Sequence, residues 1–217
     1  MAASPSRWSA APSPTTGNNW MLATKLANQI GDDPNRGGLS RRWVLQAAEE
    51  SLKRLGTDYI DIYYLHKEDH ATPLEETVRA MGDLMRQGKI RYFGVSNYRA
   101  WRVAEICNIC DRNGIDRPIV SQPYYNAMNR MPEVEHFPAC GYYGLGIVPY
   151  SPLARGVLTG KYAPDAAPDK DTPRRPQRQA HDADRMAAGI AAARAGDQAA
   201  RRSHAASPPG SSRCHGC

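Results

Sequence analysis

Residues 51–98 read SLKRLGTDYIDIYYLHKEDHATPLEETVRAMGDLMRQGKIRYFGVSNY. Two runs rich in β-branched and aromatic residues, Tyr59–Leu65 and Ile90–Val95, have the composition of strands. Between them Leu74, Val78, Met81, Leu84 and Met85 recur at helical period. In TPLE, Thr72 is expected to cap the helix, Pro73 to take its first position and Glu75 to reach back; Gly88 is expected to end it. Strand, helix and strand in so short a span predict a βαβ unit, in which a helix carries the chain between two parallel strands.

The same alternation extends both ways. Upstream, Met21–Lys25 is a short strand and Gly31–Ser40 a loop. A helix follows over Arg41–Leu55, capped by Ser40, with Trp43, Val44, Ala47, Ala48, Ser51, Leu52 and Leu55 on one face and Gly56 at its C-cap. Downstream come a helix over Arg99–Asn113 closed by Gly114, a strand at Ile119–Gln122, a weak helix at Met131–Ala139 interrupted by Pro138, and a fifth strand at Gly146–Tyr150. Pro149 lacks an N–H, so ladder hydrogen bonding is expected to have stopped there. Residues 20–164 therefore read as one α/β domain with a parallel sheet.

The flanks have a different composition. Residues 1–19 are mostly Ala, Ser, Pro, Thr and Asn with a single charge, Arg7; beyond Pro164 the only large apolar residues are Met186 and Ile190. Neither segment holds enough apolar surface to offset chain entropy, so both 1–19 and 165–217 are expected to be disordered, with the Ala-rich stretch 186–200 flickering as helix. The formal charge of +6 gathers in the tail, where residues 173–217 carry 8 Arg and 3 Asp; this argues against a basic surface for nucleic acid. No apolar run is long enough for a membrane span and no secretory signal is present, which predicts a cytoplasmic protein without a membrane partner. Cys107 and Cys110, with Cys214 and Cys217, have zinc-like spacing. The first pair lies in a helical stretch, where cysteine behaves as a small apolar residue, so no metal site is expected.

What stands at the strand ends suggests chemistry. After the five strands come Lys25, His66, Ser96 with Asn97, Gln122, and Tyr150 with Ser151. Each alone has an ordinary explanation: a solvated lysine, a half-buried imidazole, a capping asparagine, a core tyrosine. In a parallel sheet these ends all face one rim, so together they place an amine, an imidazole, hydroxyls and amides at one mouth.

These residues lie within strings that resemble the aldo-keto reductases, particularly the branch with potassium-channel β-subunit-like and bacterial reductases. The strings are ATK at 23–25, SLKRLGTDYIDIYYLH at 51–66, GKIRYFGVSNY at 88–98, SQPYYN at 121–126 and VPYSPLARGVLTGKY at 148–162, in family order and spacing. The resemblance implies part of a (β/α)8 barrel, about five βα units of it, and NADPH-dependent reduction of a small aldehyde or ketone. It implies that Lys25 lowers the pKa of a catalytic tyrosine and that His66 orients and polarises the carbonyl. It places Ser96, Asn97 and Gln122 on the nicotinamide carboxamide and Tyr150 against the ring. Ser151, Pro152, Leu153, Ala154 and Arg155 would follow the pyrophosphate, and Lys161 would lie near the adenosine phosphate.

Two departures from the family pattern carry their own expectations. The 24 residues before Lys25 contain no tyrosine and no aspartate, the family's acid and its partner. After Tyr162 an Arg/Ala/Pro-rich tail stands where the last strand and cofactor loop are expected, with an abrupt change near Thr172 resembling a shifted reading frame. A chain truncated at both ends is expected to turn over weakly or act as a non-catalytic NADP-binding or subunit-like fragment. Its open sheet edges invite covering by an oligomer.

Overall fold

Tyr63, Leu65, Phe93 and Val95 alternate with residues of opposite facing along their strands, and all four are fully buried beneath helices. The computed structural model describes residues 20–159. In chain order the elements are β1 (Ala23–Leu26), α1 (Arg41–Leu55), β2 (Ile60–Leu65), α2 (Leu74–Arg86), β3 (Ile90–Ser96), α3 (Ala100–Asn113), β4 (Val120–Gln122), a 3-10 turn at Met131–Glu133, α4 (His136–Tyr143), β5 (Gly146–Ile147) and 3-10 turns over Ala154–Thr159. The strands form a single sheet in the order β1-β2-β3-β4-β5, every neighbouring pair parallel. Parallel strands in chain order, each joined to the next by a helix, are the repeating unit of a (β/α)8 barrel. The chain divides into two compact units, Met1–Pro152 and Leu153–Cys217, and all five strands lie in the first. The expected disorder at 1–19 and 165–217, the stretch 186–200, Cys214 and Cys217 lie outside the described residues.

The local logic of α1 follows the sequence. The Ser40 hydroxyl oxygen accepts the Trp43 N–H, and Gly56 takes a left-handed conformation (φ 66°) that turns its own N–H to the Leu52 carbonyl. The buried face is Trp43, Val44, Ala47, Ala48, Ser51 and Leu52, with Leu55 packed at its margin. Burying each large aliphatic side chain contributes about 2 kcal/mol of transfer free energy. Salt bridges from Arg41 to Asp83 and from Lys89 to Glu49 tie this helix to its surroundings. Cys107 and Cys110 are buried on α3, and burial pushes their thiols up to about 11 and about 12.

Three local expectations are corrected. Thr72 does not cap α2: Pro73 stands at the cap, the Thr72 hydroxyl donates to the Asp69 carboxylate at 2.8 Å, and Glu75 binds Arg79 instead of reaching back. A stronger, charged acceptor outside the motif captures the hydroxyl. Pro138 does not interrupt a helix. It lies in the first turn of α4, where an N–H has no helical partner to lose, and the chain before it is a separate 3-10 turn. Nor does hydrogen bonding end at Pro149: the Val148 N–H donates to Ser121 O at 2.9 Å, and beyond the proline the Tyr150 N–H donates to Pro123 O at 3.0 Å. Regular strand stops at Ile147, and Tyr150 bridges Tyr124 in parallel after the gap.

One cross-strand row governs the face opposite the helices. Lys25 pairs with Tyr64, Tyr64 with Gly94, Gly94 with Val120 and Val120 with Gly146. A Cβ on Gly94 would lie 2.7 Å from Val120 Cγ1 and 2.8 Å from Tyr64 Cε1. The absence of a side chain at Gly94 is therefore what lets the Tyr64 ring lie across the sheet.

Candidate active site

Lys25 belongs to the row just described, and its ammonium sits 5.1 Å from the centroid of the Tyr64 ring. It thus engages an aromatic face. Burial raises the Tyr64 phenol above its ordinary value.

His66 follows the last residue of β2. Its backbone N–H donates to Leu26 O at 3.1 Å and its carbonyl accepts the Asn97 side-chain amide at 3.0 Å, so both flanking strands hold it. Its ring Nδ1 meets the Asn28 amide at 3.1 Å. Burial, then the charges of Lys25 and Lys67, lower its pKa and favour the neutral imidazole near pH 7. Lys25, Asn28 and His66 line a common cleft with Ile30 and Trp43.

On the next strands a hydrogen-bonded network joins the ends. Ser96 is buried and pairs in register with Gln122; its hydroxyl donates to Gln122 O at 2.9 Å. The Asn97 amide also donates to Ser96 Oγ, and its carbonyl oxygen accepts the Tyr150 hydroxyl at 2.7 Å. Asn97 adopts φ 57°, a left-handed conformation that asparagine tolerates. Among the described residues the Gln122 side-chain amide has no hydrogen-bond partner. Beneath it, Ser121 Oγ and His136 Nε2 lie 2.8 Å apart in a buried contact that fastens β4 to α4.

The first unit therefore gathers Lys25, His66, Ser96, Asn97, Gln122 and Tyr150 at the C-terminal ends of consecutive parallel strands. Ser151 and Pro152 close that unit; Ser151 has φ 58° and its carbonyl accepts the Asn126 side-chain amide at 3.1 Å. Leu153, Ala154 and Arg155 open the second unit. There Ala154 and Arg155 have φ 46° and 57°, and the Leu153 carbonyl accepts N–H groups from Gly156 and Leu158 at 2.8 and 3.3 Å. Lys161 lies outside the described residues. Among those residues no group of three or more His, Cys, Asp or Glu side chains is placed to hold a metal, and no helix is long and apolar enough to cross a membrane.

Sequence reasoning missed Asn28 and Asp69. The Asp69 carboxylate accepts the Leu39 N–H at 2.8 Å, the Ala71 N–H at 2.9 Å and the Thr72 hydroxyl at 2.8 Å, and so joins the loops after β1 and β2. Burial raises its pKa, but the Thr72 hydroxyl and the loop amides outweigh burial and hold the carboxyl below its ordinary value. Only the run of polar residues after His66 hinted at such a hub.

The chain is 51% identical over 114 residues to human aldo-keto reductase family 7 member A3, covering 52% of this chain and 34% of that protein. It is 45% identical over 141 residues to human aflatoxin B1 aldehyde reductase member 4, covering 65% of this chain and 41% of that protein. A probable voltage-gated potassium channel subunit beta from Oryza sativa subsp. japonica is 46% identical over 134 residues, covering 61% of this chain and 41% of its own length. The chain thus spans less than half the length of these curated relatives. The sequence model of the aldo/keto reductase family matches residues 7–208. With that match, and with five parallel strands in barrel order, the chain belongs to the aldo/keto reductase family.

Proposed function

We propose that residues 20–164 form part of an NADPH-dependent reductase site for a small aldehyde or ketone, of which the structure describes residues 20–159. The observation that carries this reading is the convergence of Lys25, His66, Ser96, Asn97, Gln122 and Tyr150 on one rim. The relative named as an aflatoxin B1 aldehyde reductase supports the substrate class.

The residues present fit the cofactor's nicotinamide end. The Gln122 amide, which has no hydrogen-bond partner among the described residues, lies next to Ser96 and offers the donor and acceptor that a carboxamide needs, while Ser96 and Asn97 brace one another beside it. Bound there, the cofactor supplies hydride. The chain's own groups do the rest. Ser96, Asn97 and Gln122 would hold the carboxamide, and Tyr150 would stack on the ring. The family resemblance implies that Ser151, Pro152, Leu153, Ala154 and Arg155 would follow the pyrophosphate and that Lys161 would lie near the adenosine phosphate. His66 would hydrogen-bond to the carbonyl oxygen and polarise it; Lys25 matches the family lysine that lowers the pKa of a catalytic tyrosine, and without that tyrosine the alkoxide formed by hydride would take its proton from water.

For a polypeptide of these 217 residues we propose weak turnover or cofactor binding alone. None of the 24 residues before Lys25 is a tyrosine or aspartate, and the Lys25 ammonium faces the ring of Tyr64. Loss of a positioned general acid typically costs about 10²–10⁴ in rate. Two measurements test the proposal. Titration with NADPH, followed by nicotinamide fluorescence, is expected to saturate; a linear, non-saturating response rejects the cofactor site. Addition of 4-nitrobenzaldehyde, followed by nicotinamide absorbance, reads turnover, and Lys25→Met is expected to abolish whatever rate exists.

A further inference from the structure

β1 ends at Leu26, and the next residue is strained. Ala27 has φ 101°, a left-handed conformation that a residue with a Cβ rarely adopts, and it is only 2% exposed. Such a conformation persists only where its surroundings hold it. Here the Ala27 carbonyl accepts the Gly38 N–H at 3.1 Å, so the far end of the following loop clamps the bend. The bend turns the chain so that the next side chain, Asn28, meets the His66 ring 38 positions later at 3.1 Å.

The imidazole is held from several sides. Its residue's N–H is committed to Leu26 and its carbonyl to Asn97. Nδ1 faces Asn28 Nδ2, which only donates. A ring nitrogen that accepts carries no proton, so in the neutral ring the proton must be on Nε2. The charged neighbours that act on the ring are Lys25 and Lys67, and neither ammonium offers an acceptor that would draw the proton back to Nδ1.

We propose that Asn28 is a positioning residue that fixes His66 as its Nε2–H tautomer. The use of that proton, as a donor to a substrate carbonyl oxygen, rests on the function proposed above; the tautomer itself does not. The strain at Ala27 is then part of the site, because it aims Asn28.

Two-dimensional ¹H–¹⁵N correlation of the imidazole nitrogens at pH 7.5 tests this on the full chain. The His66 signals are identified among the 6 histidines by their loss in His66→Gln. The expected wild-type pattern has a protonated Nε2 and an unprotonated Nδ1. In Asn28→Asp, a near-isosteric change to an acceptor, Nδ1 is expected to become protonated, whether the ring is neutral or charged. Asn28→Leu, which neither donates nor accepts, is expected to shift both ring nitrogens toward averaged values. Thermal melts within a few degrees of wild type show that the fold survives. A wild-type ring protonated on Nδ1, or an Asn28→Asp spectrum identical to wild type, overturns the proposal. Adding NADP+ with 4-nitrobenzaldehyde separates it from the reading it rests on. If the Nε2 signal ignores the aldehyde while the tautomer pattern holds, the carbonyl role of His66 fails and the role of Asn28 stands.

Discussion

The Tyr150 hydroxyl donates to the Asn97 carboxamide oxygen at 2.7 Å, a bond between residues 53 positions apart that closes the rim across three strands. Asn97 in turn holds the His66 carbonyl, so the phenol and the imidazole are linked through one amide. If Tyr150 serves the cofactor through its ring, Tyr150→Phe should leave the NADPH dissociation constant within a few-fold, while Tyr150→Ala should weaken binding up to about tenfold, the scale of a single aromatic stacking contact. Nicotinamide fluorescence titration of both variants checks this. Equal losses in the two would assign the effect to the hydroxyl instead.

Gly94→Ala should destabilise the first unit by about 1–3 kcal/mol, because its Cβ would enter space filled by Tyr64 and Val120. Urea unfolding measures it. The cost should shrink when Tyr64→Leu is present as well, since the ring edge is one of the two clashing groups. An unchanged cost in the double variant would place the strain elsewhere.

Asp69→Ala removes the acceptor shared by Leu39, Ala71 and Thr72. A loss of about 1–2 kcal/mol is expected once partial solvent exposure is allowed for. The acid dependence has a definite sign. The folded pKa lies below the unfolded value, so the contribution is complete above about pH 4 and disappears as pH falls through the folded value. The wild-type unfolding midpoint should therefore drop more steeply below pH 4 than that of Asp69→Asn, as equilibrium melts across that range will read.

His66 and His136 both have lowered pKa values, with burial the first cause in each. Both contribute stability that is full above about pH 6.5 and is lost as pH falls through their folded values. Urea midpoints measured from pH 7.5 to 5 should decline, and His136→Gln should flatten part of that decline. His136→Gln also perturbs the buried contact with Ser121, so its midpoint at pH 7.5 should fall as well.

How far the sequence could be read depended on the range of the interactions. Ser40 and Gly56 act on their own helix within a turn, and their roles were legible from position alone. The convergence of Lys25, His66, Ser96 and Gln122 was legible for a different reason: parallel strands send every C-terminal end to one side. Thr72 misled because its hydroxyl is taken by Asp69, an acceptor that no capping pattern includes. Pro138 misled because its effect depends on where the helix begins, and no cap residue marks that point. Asn28 could not be read at all. Its contact with His66 spans 38 positions and depends on a strained alanine, for which sequence has no sign.

A sheet whose spatial order repeats its chain order never requires a late segment to slip between two early ones. Each strand can be laid beside the one synthesised just before it, with the connecting helix already made when the second strand of the seam arrives. Assembly can therefore advance from the N-terminal side as the chain emerges from the ribosome, with modest loops to close at every step. On such a route the growing border is the last strand added, and the site at the rim would come together group by group, lysine first and tyrosine last.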